Sequence, residues 1–163
     1  MNPEKEALIA GMDERRASNL AIVNAVPLEL VVHSDSGWTV KDLVAHMIVW
    51  EMNTIRALQA GMQGQNYIIP GFEDGIHAYN ERTRLDYIDE SGETILALWA
   101  STREQLRQVV RNYPEERWQE PLRWFGADAL PLQIVKGIGS HEKHHIQEIA
   151  SAAASLDGSG TQA

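Results

Sequence analysis

Residues 38–50, Trp38-Thr39-Val40-Lys41-Asp42-Leu43-Val44-Ala45-His46-Met47-Ile48-Val49-Trp50, carry the clearest structural signal in the chain. Thr39 with Asp42 three residues on has the form of a capping box, Asp standing in place of the usual Glu, and Trp38 and Leu43 flank the cap where a hydrophobic staple would close. The helix this opens is predicted to start at Val40 and to end near Gly61 or Gly64. His46 shares a face with Leu43, Met47 and Trp50, and a bundle turns such a face inward.

On both sides of this segment apolar residues recur at threes and fours, and nothing alternates cleanly for more than a few residues, so the rest of the chain also reads as helical. A first helix is predicted from Pro3 to about Ala25, with Asn2 as cap, Pro3 in the first turn, and Glu4 and Glu6 at the positive end of the helix dipole. Residues 65–90 form a long connection in which Phe72, Ile76, Tyr79, Thr83 and Tyr87 mark a shorter polar helix. Ser91 caps a third long helix bearing Ile95, Leu98, Trp99 and Leu106, stopped by Pro114. Residues 114–128 read as a loop rich in tryptophan and charge. The last helix starts between Asp128 and Pro131 and runs to about Leu156. Gly137 and Gly139 cost it about 1 kcal/mol each relative to Ala, so close packing or a local distortion is expected there. The sum is an all-α four-helix bundle over residues 1–156 with a long crossover between its second and third helices, then a flexible tail over 157–163.

With 163 residues, one domain is expected. A net charge of −9 and a pI near 5.1 oppose a nucleic-acid backbone or an anionic membrane as partner. The chain has no cysteine, so any thiol chemistry must use a thiol from outside. The acidic N-terminus lacks the basic and apolar regions of a signal peptide, and no apolar run approaches membrane length. A soluble, cytoplasmic protein is expected.

His141 and His145 lie four apart on the stripe Ile134, Ile138, His141, His145, Ile149, so one helix face carries both rings toward the core. Buried imidazoles without partners call for a compensating group, and a metal ion supplies one. At 1.5 Å per residue, His46 sits about 9 Å into its helix while His145 and His141 lie about 17 and 23 Å from the end of theirs, so antiparallel pairing brings all three near one level. Three neutral histidines with open positions suit Zn²⁺, Ni²⁺ or Fe²⁺ better than Ca²⁺ or Mg²⁺. His141-Glu142-Lys143-His144-His145 also matches H-E-x-x-H, the metalloprotease pattern. However, Glu148 stands where the extended motif needs Gly, and Ser151 where it needs His.

Trp38 to His46 followed by Trp50-Glu51, then Tyr79-Asn80, then His141 to Ile146, together resemble the DinB-like superfamily in order and spacing over roughly residues 5–155. That group includes bacterial damage-inducible DinB proteins, bacillithiol-transferase-like proteins and the N-terminal domain of mycothiol-dependent maleylpyruvate isomerase. The resemblance implies an up-down-down-up bundle, commonly homodimeric, with a divalent ion held by His46, His141 and His145. It further implies a metal-dependent S-transferase or isomerase that uses a low-molecular-weight thiol on a small electrophile. The alternative is a non-catalytic, stress-protective protein that binds a metal or a small ligand.

Other residues have more ordinary readings. Glu142 and Glu148 flank the histidines and are candidates to orient their N–H groups. Arg103, Arg107 and Arg111 form a basic stripe, either an anion site or a solvated face. Trp50 and Trp99 suit the core, and Trp118 and Trp124 a loop over a bundle end, unless they line a pocket. His33, His77 and His144 are given no ligand role. Ile22 and Ile48 are candidates for an outer surface covered in a dimer. Proton competition for three imidazoles should weaken an ion near pH 6 to 6.5.

Overall fold

In the computed structural model, which describes residues 2–159, five helices and two small hairpins follow in the order α1 (Pro3–Asn24), β1 (Val31–His33), β2 (Trp38–Thr39), α2 (Val40–Met62), α3 (Ile76–Leu85), α4 (Gly92–Asn112), β3 (Leu122–Trp124), β4 (Ala127–Ala129) and α5 (Pro131–Ser159). Side chains set the starts. Asn2 Oδ1 accepts the Glu4 N–H at 2.9 Å and Ser91 Oγ that of Thr94 at 3.1 Å. At α2 the capping box closes both ways: Thr39 Oγ1 accepts from Asp42 N–H, and the Asp42 carboxylate accepts from Thr39 N–H.

Packing partners give the helix directions. Val23, near the end of α1, meets Val40 and Leu43 at the start of α2, so these two run antiparallel. Trp99 and Ile95 join that same end of the core, whereas Leu106 and Val110 join Ile55 and Leu58 further on, so α2 and α4 run parallel. Leu43 clusters with Ile146 and Ile149, and Ala57 with Ile134, which makes α2 and α5 antiparallel. The bundle is up-down-down-up, the parallel α2–α4 pair being made possible by the long crossover that holds α3.

Every residue from Asp42 to Glu51 is buried, because α4, α5 and α3 cover α2 from three sides. Ile48 is therefore a fully buried core residue and not an outer-surface one, while Ile22 is half-buried against the same core. Arg103 also departs from the solvated stripe: it is 5% exposed and paired inside the bundle. Arg107 stays near the surface with Asp13 and Glu104.

Within the segment read as a loop, a 3₁₀ turn over Glu115–Arg117 is followed by the β3–β4 hairpin, and the α1–α2 connection holds the β1–β2 hairpin. These strands are too short to leave an alternating pattern. Backbone helix continues to Ser159, past Leu156, and of the expected tail residues 160–163 lie outside the described residues. Among the described residues no helix is long and apolar enough to cross a membrane.

Candidate metal centre

The antiparallel α2–α5 pair carries His46 on the second turn of α2 to the level of His141 and His145 on α5. His46 Nε2 lies 3.0 Å from His141 Nε2, which lies 3.1 Å from His145 Nε2. Trp38 and Trp50 stand edge-on to the His46 ring with centroids 5.4 and 6.3 Å away, which fixes its tilt.

Three converging imidazole nitrogens pose a problem that protons cannot solve. His145 Nδ1 lies 2.6 Å from Glu148 Oε2, a bond that places the proton on Nδ1 and leaves a lone pair on Nε2. His141 Nε2 has either one N–H or one lone pair to offer two neighbours. With all rings neutral, at most one of the two contacts is a hydrogen bond. Adding a proton is opposed by burial and by the other rings, which push His46 down to about 2 and His141 down to about 4, and burial also lowers His145. A divalent cation accepts all three lone pairs together. Zinc with bonds of about 2.0–2.1 Å and tetrahedral angles would set its ligand nitrogens about 3.3 Å apart, within a few tenths of the separations here. The donor set fits such an ion. His46 Nδ1 and His141 Nδ1 are buried without partners, so among the three only His145 has an outer carboxylate.

Glu142, which the H-E-x-x-H pattern would make a base, faces away from the histidines. Its Oε1 accepts from Asn19 Nδ2 at 2.7 Å and Arg16 Nε at 3.1 Å, and its Oε2 accepts from Arg16 Nη2 and Arg103 Nη2. Glu51 completes this cluster, accepting from Arg103 Nε at 2.5 Å and Arg16 Nη2 at 3.2 Å. Burial would raise the Glu142 carboxyl, but Arg103 and Arg16 outweigh it and hold it below the usual range. Two carboxylates and two guanidiniums thus join α1, α2, α4 and α5 directly behind the histidines. Of the two glutamates read as candidate orienting groups, Glu148 does so and Glu142 does not.

His144 is exposed, with Nε2 3.5 Å from Glu148 Oε1, and the β1–β2 hairpin brings His33 Nε2 to 3.2 Å from the same oxygen. His144, His145 and Glu148 form a second, outer group whose ligand atoms lie within 4.8 Å of one another. His33 had no helical spacing by which to be found. His77 joins neither group of possible ligands.

A cleft of about 410 Å³ opens on the three histidines, walled by Trp50, Trp124 and Phe125. Trp124 reaches it from the β3–β4 hairpin, whereas Trp99 and Trp118 are core residues. Gly137 also lines it, and a Cβ there would meet nothing within 4 Å. Close packing is absent at this glycine, which leaves space in the cleft.

Fold and site together define a four-helix bundle with a histidine trio between its antiparallel second and last long helices. The DinB superfamily model matches residues 11–149, and the chain belongs to that family. A crystal structure of an uncharacterised protein from Escherichia coli UTI89 is similar in fold, with a TM-score of 0.76 over 94% of each chain at 14% sequence identity. No curated protein matches the sequence.

Proposed function

We propose that the protein binds a divalent metal ion, Zn²⁺, Ni²⁺ or Fe²⁺, through His46, His141 and His145, and acts as a metal-dependent S-transferase or isomerase on a small electrophile with a low-molecular-weight thiol. The observation that carries the reading is the convergence of three Nε2 atoms that no arrangement of protons satisfies. When bound, such an ion supplies Lewis acidity that lowers the pKa of a thiol or water beside it. The chain's own residues hold the frame: Glu148 sets the His145 tautomer, Trp38 and Trp50 brace His46, and the buried Arg–Glu cluster fixes α5 against α1 and α4.

One observation favours a second reading, a binding or stress-protection protein without turnover. Glu142 is committed to Arg16 and Arg103, Glu148 to His145 and His33, and no carboxylate lines the cleft. Incubating metal-loaded protein with 1-chloro-2,4-dinitrobenzene and bacillithiol, mycothiol or glutathione separates the two. Thiol consumption above the protein-free rate, lost in His46→Ala, supports the enzyme. Stoichiometric ion binding with no turnover across the panel supports the second reading. A homodimer belongs to the same proposal, and light scattering at twice the 18.2 kDa chain mass is the expected result.

A further inference from the structure

The β3–β4 hairpin turns through Phe125 and Gly126, with φ of 51° and 75°. Two central residues at positive φ are what tight hairpin turns of this hand require, and asparagine or glycine is the usual occupant of the first position. Phenylalanine there carries backbone strain that glycine or asparagine would avoid. Its ring is half exposed, yet it lies 5.2 Å from Trp50, 5.5 Å from Phe72 and 4.9 Å from Trp124, all between centroids, and lines the cleft over the histidines. The turn gives up its best residue to place an aromatic wall at that mouth.

The cleft's chemistry narrows its occupant. None of its lining residues is Lys, Arg, Asp or Glu. Besides the histidines and the indole N–H groups of Trp50 and Trp124, its polar side chains are Thr54 and Asn80. Thr54 Oγ1 donates to the Trp50 carbonyl at 3.0 Å, while Asn80 Oδ1 accepts the Trp50 indole N–H at 3.1 Å, which leaves the Asn80 NH₂ as a fixed donor without a protein partner. Gly137 leaves room where any other residue would project a side chain. A multiply charged thiol would find no counter-charge on these walls.

We propose that the cleft takes a small, planar, ring-bearing molecule without multiple charges, packed against the aromatic wall that Phe125, Trp50 and Trp124 form together, with one acceptor oxygen on the Asn80 amide. This rests on the reading that the trio marks the functional site, and its volume lies within the usual range of small-molecule sites, about 300–1,000 Å³. By its chemistry the class matches the electrophile of a transfer reaction better than the thiol.

The probe is 2-acetylnaphthalene, uncharged and an acceptor only, compared with naphthalene-2,6-disulfonate of the same ring size. Binding is read by tryptophan fluorescence and calorimetry on zinc-loaded and chelator-treated protein. The expected result is saturable binding of the ketone, with the disulfonate at least about tenfold weaker. Phe125→Asn should weaken the ketone by about tenfold in a protein that still melts cooperatively, because asparagine relieves the turn while the ring contacts are lost. Gly137→Leu should abolish ketone binding by filling the cleft, and Asn80→Asp should weaken it by removing the donor. Equal binding of the two probes, or ketone binding unchanged in both Phe125→Asn and Gly137→Leu, overturns the proposal. If zinc fails to bind while the ketone still does, in the same variant-sensitive way, the metal reading falls and the ring site stands.

Discussion

Glu148 Oε2 accepts the Nδ1–H of His145 at 2.6 Å, and this one bond determines which nitrogen of His145 faces His141. Partners of this kind on metal-ligating histidines typically contribute about 10–100-fold in metal affinity. Glu148→Ala should weaken zinc by that factor in a chelator competition while leaving the fold intact, since Glu148 lies at the surface of α5. Unchanged affinity would show that the His145 tautomer is set some other way.

Metal content of untagged protein should be about one ion per chain, lost or much weakened in His46→Ala, His141→Ala and His145→Ala. His144→Ala should keep the ion, because its ring is exposed and its nearest partner is Glu148 Oε1 at 3.5 Å. Equal loss in His144→Ala would move the ion to the outer group of His144, His145 and Glu148.

The helices and the histidine trio were legible because both obey helical spacing. The Thr39–Asp42 box located the start of α2, and the four-residue step from His141 to His145 on an apolar stripe placed both rings on the face of α5 that meets His46. The departures at Ile48 and Arg103 share a cause: each depends on contacts between residues distant in the chain. Ile48 sits on the far side of α2 from His46 and would be exposed if α2 had one buried face, but α3, α4 and α5 surround it. Arg103 belongs to a surface stripe by its own helix, and only the approach of Glu51 and Glu142 from α2 and α5 shows that it is buried. Phe125 looked like loop sequence because a two-residue turn leaves no periodic trace.

The buried cluster of Arg16, Arg103, Glu51 and Glu142 should be essential to stability and not to ion binding. Removing one partner of a buried, hydrogen-bonded ion pair costs about 3–5 kcal/mol because the remaining charge stays buried without a counter-ion. Glu142→Ala leaves two buried guanidiniums sharing Glu51 as their one carboxylate, so one positive charge stays uncompensated. Urea unfolding should register that loss, while zinc stoichiometry at low temperature stays near one. A variant of wild-type stability that no longer binds zinc would place Glu142 at the ion after all.

The acid response follows from the lowered histidines. Unfolded histidines take up protons near pH 6.5, whereas native His141 resists to about 4 and native His46 to about 2, so between those limits the unfolded state binds more protons. Stability that is complete above the unfolded value must therefore fall as pH drops below about 6.5, at up to about 1.4 kcal/mol per pH unit for each such group. Glu142 and Glu148, held below the usual carboxylate range in the folded state, add a further loss that begins only below about pH 4.5. The same resistance changes the expectation for the ion. Protons compete poorly for a trio that stays neutral, so zinc affinity should hold through the region near pH 6 to 6.5 where free histidine titrates, and weaken only at lower pH. Melting curves in chelator and in excess zinc, taken at pH values from about 7.5 to 5, test both statements together. The metal-free protein should hold its melting temperature from about pH 7.5 to about 6.5 and lose it progressively below that, and His46→Ala should flatten the loss, while the increment due to zinc persists at pH 5.5. A slope identical in wild type and His46→Ala would assign the acid sensitivity to groups outside the trio.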